Sequence, residues 1–173
     1  MAPISTPTRV LLADDHSLVR AGIRRLLEEF AATEVVGEAA DGLAALALVK
    51  LHQPDVLIAD LTMPRLNGLE LAGEVARQCP ATKVLMLSMH VDEECVRRAF
   101  HRGAKGYLVK DSTASELEVA VRAVARGDTY LSPAVSKYFV AGFLDQCEAP
   151  HDGSEGLTPR QRQILQLVAE GHT

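Results

Sequence analysis

Five polar residues in this sequence stand at one recurring kind of place, where an apolar run gives way to a turn. Asp14 and Asp15 follow VLLA, Asp60 ends VLIAD, Ser88 ends KVLMLS and Lys110 follows GYLV. Acids that close neighbouring strands of one sheet meet at one edge, and three carboxylates meeting there repel unless a cation neutralises them. A hard divalent ion suits that need. Mg²⁺ takes one or two carboxylates, a backbone carbonyl and several waters, with space left for a phosphate oxygen. A carboxylate in such a place can itself attack phosphorus, and Asp60 is the expected nucleophile. The cation, the Lys110 ammonium and the Ser88 hydroxyl would then each serve one oxygen of the transferred group. Single residues carry little of this reading. Asp14 and Asp15 alone would pass for helix caps, and Ser88 for a strand-end hydroxyl.

The elements that must position these groups are legible as an alternation of short β-branched runs and longer helical patterns. Strands are expected at 9–14, 34–39, 55–60, 83–88 and 106–109, with helices at 17–30, 42–52, 66–79, 93–102 and 113–126. In the first helix Val19, Ile23, Leu26 and Phe30 fall on one face. In the last, Leu117, Val121 and Val124 do the same, and Thr113 with Glu116 forms a capping box. Five β-then-α units predict a parallel sheet with helices on both sides, and strands apolar throughout fit burial on both faces. No G-x-G-x-x-G follows the first strand, which disfavours the dinucleotide-binding arrangement. The expected fold is therefore α/β, a flavodoxin-like (βα)5 doubly wound parallel sheet of order 2-1-3-4-5, with its ligand edge at the strand carboxyl ends.

Composition narrows the function. The 173 residues are 47% hydrophobic and 24% charged, as in a soluble globular protein, with no apolar run long enough to span a membrane. MAPISTPTR lacks the features of a signal peptide, so the expected location is the cytoplasm, without a membrane partner. Cys79, Cys95 and Cys147 show neither disulfide nor zinc spacing. The six histidines read as scattered surface imidazoles. A formal charge of −5 argues against nucleic-acid binding by the chain as a whole. Arg20, Arg24 and Arg25, and Arg97, Arg98 and Arg102, read first as solvated helix faces; a sharper alternative has Glu118 meeting an arginine of a second copy.

The set Asp14, Asp15, Asp60, Met63, Pro64, Gly68, Ser88, Tyr107 and Lys110 resembles the receiver domain of two-component response regulators over residues 8–127. HSLVRAGIRRLL, MPRLNGLEL, GAKGYLVKD and ARGDTYLSP resemble the NarL/FixJ subfamily in particular. One departure is Asp111, where many members have proline after the lysine. The resemblance implies that Asp60 accepts a phosphoryl group from a phosphohistidine on a sensor histidine kinase. It implies direct Mg²⁺ ligation by Asp15, Asp60 and the Thr62 backbone carbonyl, with Asp14 acting through water. Ser88 and Tyr107 would be a switch pair, and Thr62 and His90 would flank the route of attacking water. Physically, an added charge biases an element that has two packings.

Residues 128–156 are expected to be a linker with a short helix over 131–144, capped by Ser132 with Pro133 at the first helical position. LTPRQRQILQLVAEGHT, residues 157–173, resembles the first helix of that subfamily's LuxR-type helix-turn-helix. A reading helix in the major groove comes later in such a domain. DNA is thus expected as a partner only through a complete C-terminal domain, and a homodimer is a possible product of phosphorylation. Two other classes of function stand beside the transcriptional switch. A haloacid-dehalogenase-type phosphatase shares the Asp nucleophile, Mg²⁺, Ser or Thr and Lys, yet needs a D-x-D after the first strand, whereas here the acids are adjacent. A receiver-like interaction module that is never phosphorylated would not require Asp60, Lys110 and Ser88 together.

Overall fold

The structure, a computed structural model, describes residues 6–136. Strands β1 (Thr8–Ala13), β2 (Thr33–Ala39), β3 (Val56–Asp60), β4 (Lys83–Ser88) and β5 (Gly106–Val109) alternate with helices α1 (Ser17–Glu29), α2 (Gly42–His52), α3 (Gly68–Gln78), α4 (Glu93–His101) and α5 (Ala114–Ala125). A short β6 (Tyr130–Leu131) follows. All neighbouring strands pair in parallel, in the order β2-β1-β3-β4-β5-β6. The expected order thus holds for five strands, and β6 extends the sheet beyond β5. β6 is too short for a periodic signal. Gly127, at φ +88, ends α5 in the left-handed region, and the Tyr130 N–H then reaches the Lys105 carbonyl at 3.0 Å.

Alternate residues of the apolar strands feed two cores. Leu11, Ala13, Leu57, Ala59, Val84 and Met86 face α2, α3 and α4 through Val49, Leu71, Val75, Val96 and Phe100. Val10, Leu12, Ile58, Leu85 and Leu87 face α1 and α5 through Leu27, Leu117, Val121 and Val124. β3, at the centre, is buried at every position. At about 25 cal/mol per Å² of apolar surface, this two-sided burial is what holds the strand ends in place. The Thr113–Glu116 capping box forms as expected, and Asn67 with Glu70 makes a second one at the start of α3.

One local expectation needs correction. Ser132 does not cap with its side chain: its buried hydroxyl has no hydrogen-bond partner among the described residues, and its carbonyl accepts from the Val135 and Ser136 N–H groups. The helical turn begins at residue 133 nonetheless, because Pro133 carries the right φ. Glu118 pairs with Arg122 one turn along α5, at 2.5 Å, and Arg24, Arg25 and Arg97 pair with Glu28, Glu29 and Glu94 of their own helices, as the solvated-face reading expects. The remainder of the 131–144 helix, the linker to residue 156 and the 157–173 helix lie outside the described residues.

Candidate functional site

The sheet register brings the acids together. Ala13 of β1 pairs with Ala59 of β3, so Asp14 and Asp60 leave adjacent strands side by side, both buried. Asp15 follows at the more open start of the β1–α1 turn. Lys110 leaves β5, two strands and about 10 Å from β3, with its own N–H on the Ser88 carbonyl at 2.9 Å. Its long stem crosses that gap and sets Nζ 2.8 Å from both Asp14 Oδ2 and Asp60 Oδ2. Gly68 makes room for this edge. A Cβ there would lie 2.1 Å from the Asp60 carbonyl oxygen, so close packing demands glycine at this position.

Charge is left unbalanced. Carboxylate oxygens of Asp14, Asp15 and Asp60, with a His16 ring nitrogen, can all lie within 4.8 Å of one another. Among the described residues three carboxylates face one ammonium, an excess of two negative charges when all three acids are ionised and His16 is neutral. Asp14 Oδ2 has the ammonium beside it but no aligned hydrogen bond. Burial holds the Asp60 carboxyl above its ordinary pKa, opposed by the hydrogen bond and charge of Lys110. Burial also pulls the Lys110 ammonium down, but Asp14 and Asp60 outweigh it and the net shift is upward. This oxygen-rich, doubly negative pocket is chemically suited to one hard divalent cation.

His16 is the site residue that sequence reasoning missed. It occupies the N-cap of α1 without making a side-chain cap. Its Nδ1 instead lies 2.8 Å from Asp15 Oδ1, 3.3 Å from Asp14 Oδ1 and 3.9 Å from Asp60 Oδ2. Adjacency to the acid pair was the available signal. Among the other expected residues, the Thr62 N–H makes a long contact of 3.4 Å to Asp60 Oδ1. Ser88 and Tyr107 meet through His90, whose N–H donates to Ser88 Oγ and whose carbonyl accepts from the Tyr107 hydroxyl, each at 2.9 Å. Tyr107 is fully buried, which pushes its phenol up to about 12.

The response regulator receiver domain pattern matches residues 10–122. The chain belongs to the response regulator receiver family. Members of this family carry two-component signals through an aspartyl phosphate and, in the NarL type, regulate transcription. The receiver is 39% identical over 169 residues to the oxygen regulatory protein NreC of Staphylococcus carnosus, covering 95% of this chain and 78% of NreC. Its fold matches the signal receiver domain of the putative response regulator NarL from Mycobacterium tuberculosis, with TM-score 0.69 and 43% identity over 70% of this chain and 98% of that one. It is also similar to a structure of two RcsB dimers bound to two parallel DNAs, at TM-score 0.71 and 27% identity over 96% of this chain and 78% of that one. Among the described residues of the receiver, no helix is long and apolar enough to cross a membrane.

Proposed function

We propose that this receiver is switched by transfer of a phosphoryl group onto an Asp60 carboxylate oxygen, the donor being a phosphohistidine of a sensor histidine kinase. One observation carries the proposal: a single ammonium, Lys110 Nζ, lies 2.8 Å from Asp60 Oδ2 at a buried strand end beside two further acids. In the reaction the P–N bond to the donor histidine breaks as a P–O bond to Asp60 forms, and the imidazole leaves with the bonding pair. Asp60 would supply the attacking oxygen, and Lys110 would hold the charge that accumulates on the incoming group. Asp15, Asp60 and the Thr62 carbonyl would hold Mg²⁺ directly, with Asp14 acting through water; the ion would neutralise phosphoryl oxygens. Ser88 would donate its hydroxyl to the bound group. The Ser88–His90–Tyr107 chain of hydrogen bonds would carry the change to the face of α4, β5 and α5.

The readout would be transcriptional, in the cytoplasm, through a DNA-binding domain attached by a linker over 128–156. Dimers on DNA, seen in the RcsB structure, are the form proposed here for the phosphorylated protein with a complete C-terminal domain. The test is intact mass after incubation with acetyl phosphate, with and without Mg²⁺. We expect the gain of one phosphoryl group, dependent on Mg²⁺ and abolished in Asp60→Asn. Unchanged labelling of Asp60→Asn would place the acceptor elsewhere.

A further inference from the structure

We propose that Arg20 is a positioning residue for the cation, acting through the backbone of Asp14. This inference rests on the cation-binding reading of the acidic pocket. Asp14 stands just past β1, where the strand ladder no longer provides both of its backbone partners. Its N–H still reaches the Ala39 carbonyl of β2 at 3.1 Å. Its carbonyl is taken by Arg20, whose Nη1 donates to it at 2.5 Å from one turn into α1. The guanidinium is held in turn by Glu38, with Nε 3.3 Å from Oε2. Both backbone groups of Asp14 are therefore fixed from adjacent residues of β2, one directly by Ala39 and the other through Glu38 and Arg20.

The carbonyl that Arg20 grips belongs to the peptide joining Asp14 to Asp15. Its orientation sets the direction in which both carboxylates leave the chain. Arg20 touches none of the carboxylate oxygens of the pocket in the contacts described. Its side chain and that of Glu38 are only 19% and 27% exposed, so this ion pair is better shielded than the Arg25–Glu29 pair on the same helix, at 84% and 63%. Arg24 also pairs with Glu38, which steadies the acid from a second helical turn. A planar fork that satisfies a carbonyl and a carboxylate together is a task for arginine; lysine, a point donor, does it less well. Outer groups that orient the ligands of a metal commonly change its affinity by 10–100-fold when removed.

The experiment is calorimetric titration of Mg²⁺ into the full chain and its variants, with the thermal midpoint of each. Arg20→Ala is expected to weaken Mg²⁺ binding by about tenfold or more. Arg20→Lys should recover part of the loss, and Glu38→Gln should weaken binding less than Arg20→Ala does. The double variant should be no weaker than Arg20→Ala, because the two residues act through one carbonyl. Arg25→Ala, which removes an equal charge from the same helix, should leave the affinity unchanged. A purely structural role would lower the thermal midpoint without moving the Mg²⁺ affinity of the folded fraction. If Arg20→Ala does not fold, Glu38→Gln decides, and an unaltered affinity there overturns the proposal. Failure of the unaltered chain to bind Mg²⁺ would overturn the cation reading along with it, whereas normal binding by both the unaltered chain and Arg20→Ala would overturn this inference alone.

Discussion

Asp60 is held where ionisation is unfavourable, and this has a measurable sign. Burial raises its folded pKa above the ordinary 3.8, with Lys110 only partly compensating. The stabilising effect of that shift is fully present below the unfolded value and is lost as pH rises through the folded one. Asp60→Asn escapes the loss. Urea unfolding across a pH series without divalent ions should show the variant gaining on the parent as pH climbs above about 4, and then a constant difference. A difference that is flat or runs the other way would contradict the burial argument. At this scale the residue types were legible: Asp14, Asp15, Asp60, Ser88 and Lys110 are strand-end groups by position alone. His16 and Arg20 were not, because nothing in their spacing says that one turns back onto Asp15 and the other onto the Asp14 carbonyl. Side-chain direction at a turn depends on local backbone angles that periodicity does not encode.

Two glycines on helices separate a packing role from a conformational cost. Gly68, at the start of α3, abuts the Asp60 carbonyl, and Met86 Cε would lie 2.7 Å from an added Cβ. Backbone cannot yield cheaply, so Gly68→Ala is expected to cost about 2 kcal/mol by overpacking and to slow acetyl-phosphate labelling. Gly22, inside α1, has nothing within 4 Å of its virtual Cβ. Gly22→Ala should therefore stabilise by about 0.5–1 kcal/mol and leave labelling unchanged. Urea midpoints measured side by side would check both signs. The five main strands and five helices were legible to within two residues at each end, because each either repeats on a helical face or runs apolar through a sheet buried on both sides. β6 was not legible, since two residues carry no period and the pairing that defines them comes from Lys105, Gly106 and Tyr107.

At the scale of the whole molecule, a cation bound at the acid-rich edge would couple its binding to folding. A ligand that binds only the folded state stabilises it by about 2.7 kcal/mol at one hundred times its dissociation constant. Mg²⁺ should therefore raise the thermal midpoint, and go on raising it with the logarithm of its concentration above the dissociation constant, while K⁺ at matched ionic strength should not. Asp15→Asn should blunt the effect. A midpoint indifferent to Mg²⁺ would show that Lys110 already balances the pocket. Local apolar patterns were enough for the alternation of strands and helices and for the residue types at the strand carboxyl ends, whereas the order of the first five strands was inferred from the missing G-x-G-x-x-G after the first strand. Folding in three dimensions was needed to reveal that Lys110 bridges Asp14 and Asp60, that His16 faces the acids, and that Arg20 and Glu38 hold the Asp14 carbonyl. Those contacts join strands and helices distant along the chain, and their distances follow from sheet register and side-chain reach, which exist only once the sheet has formed.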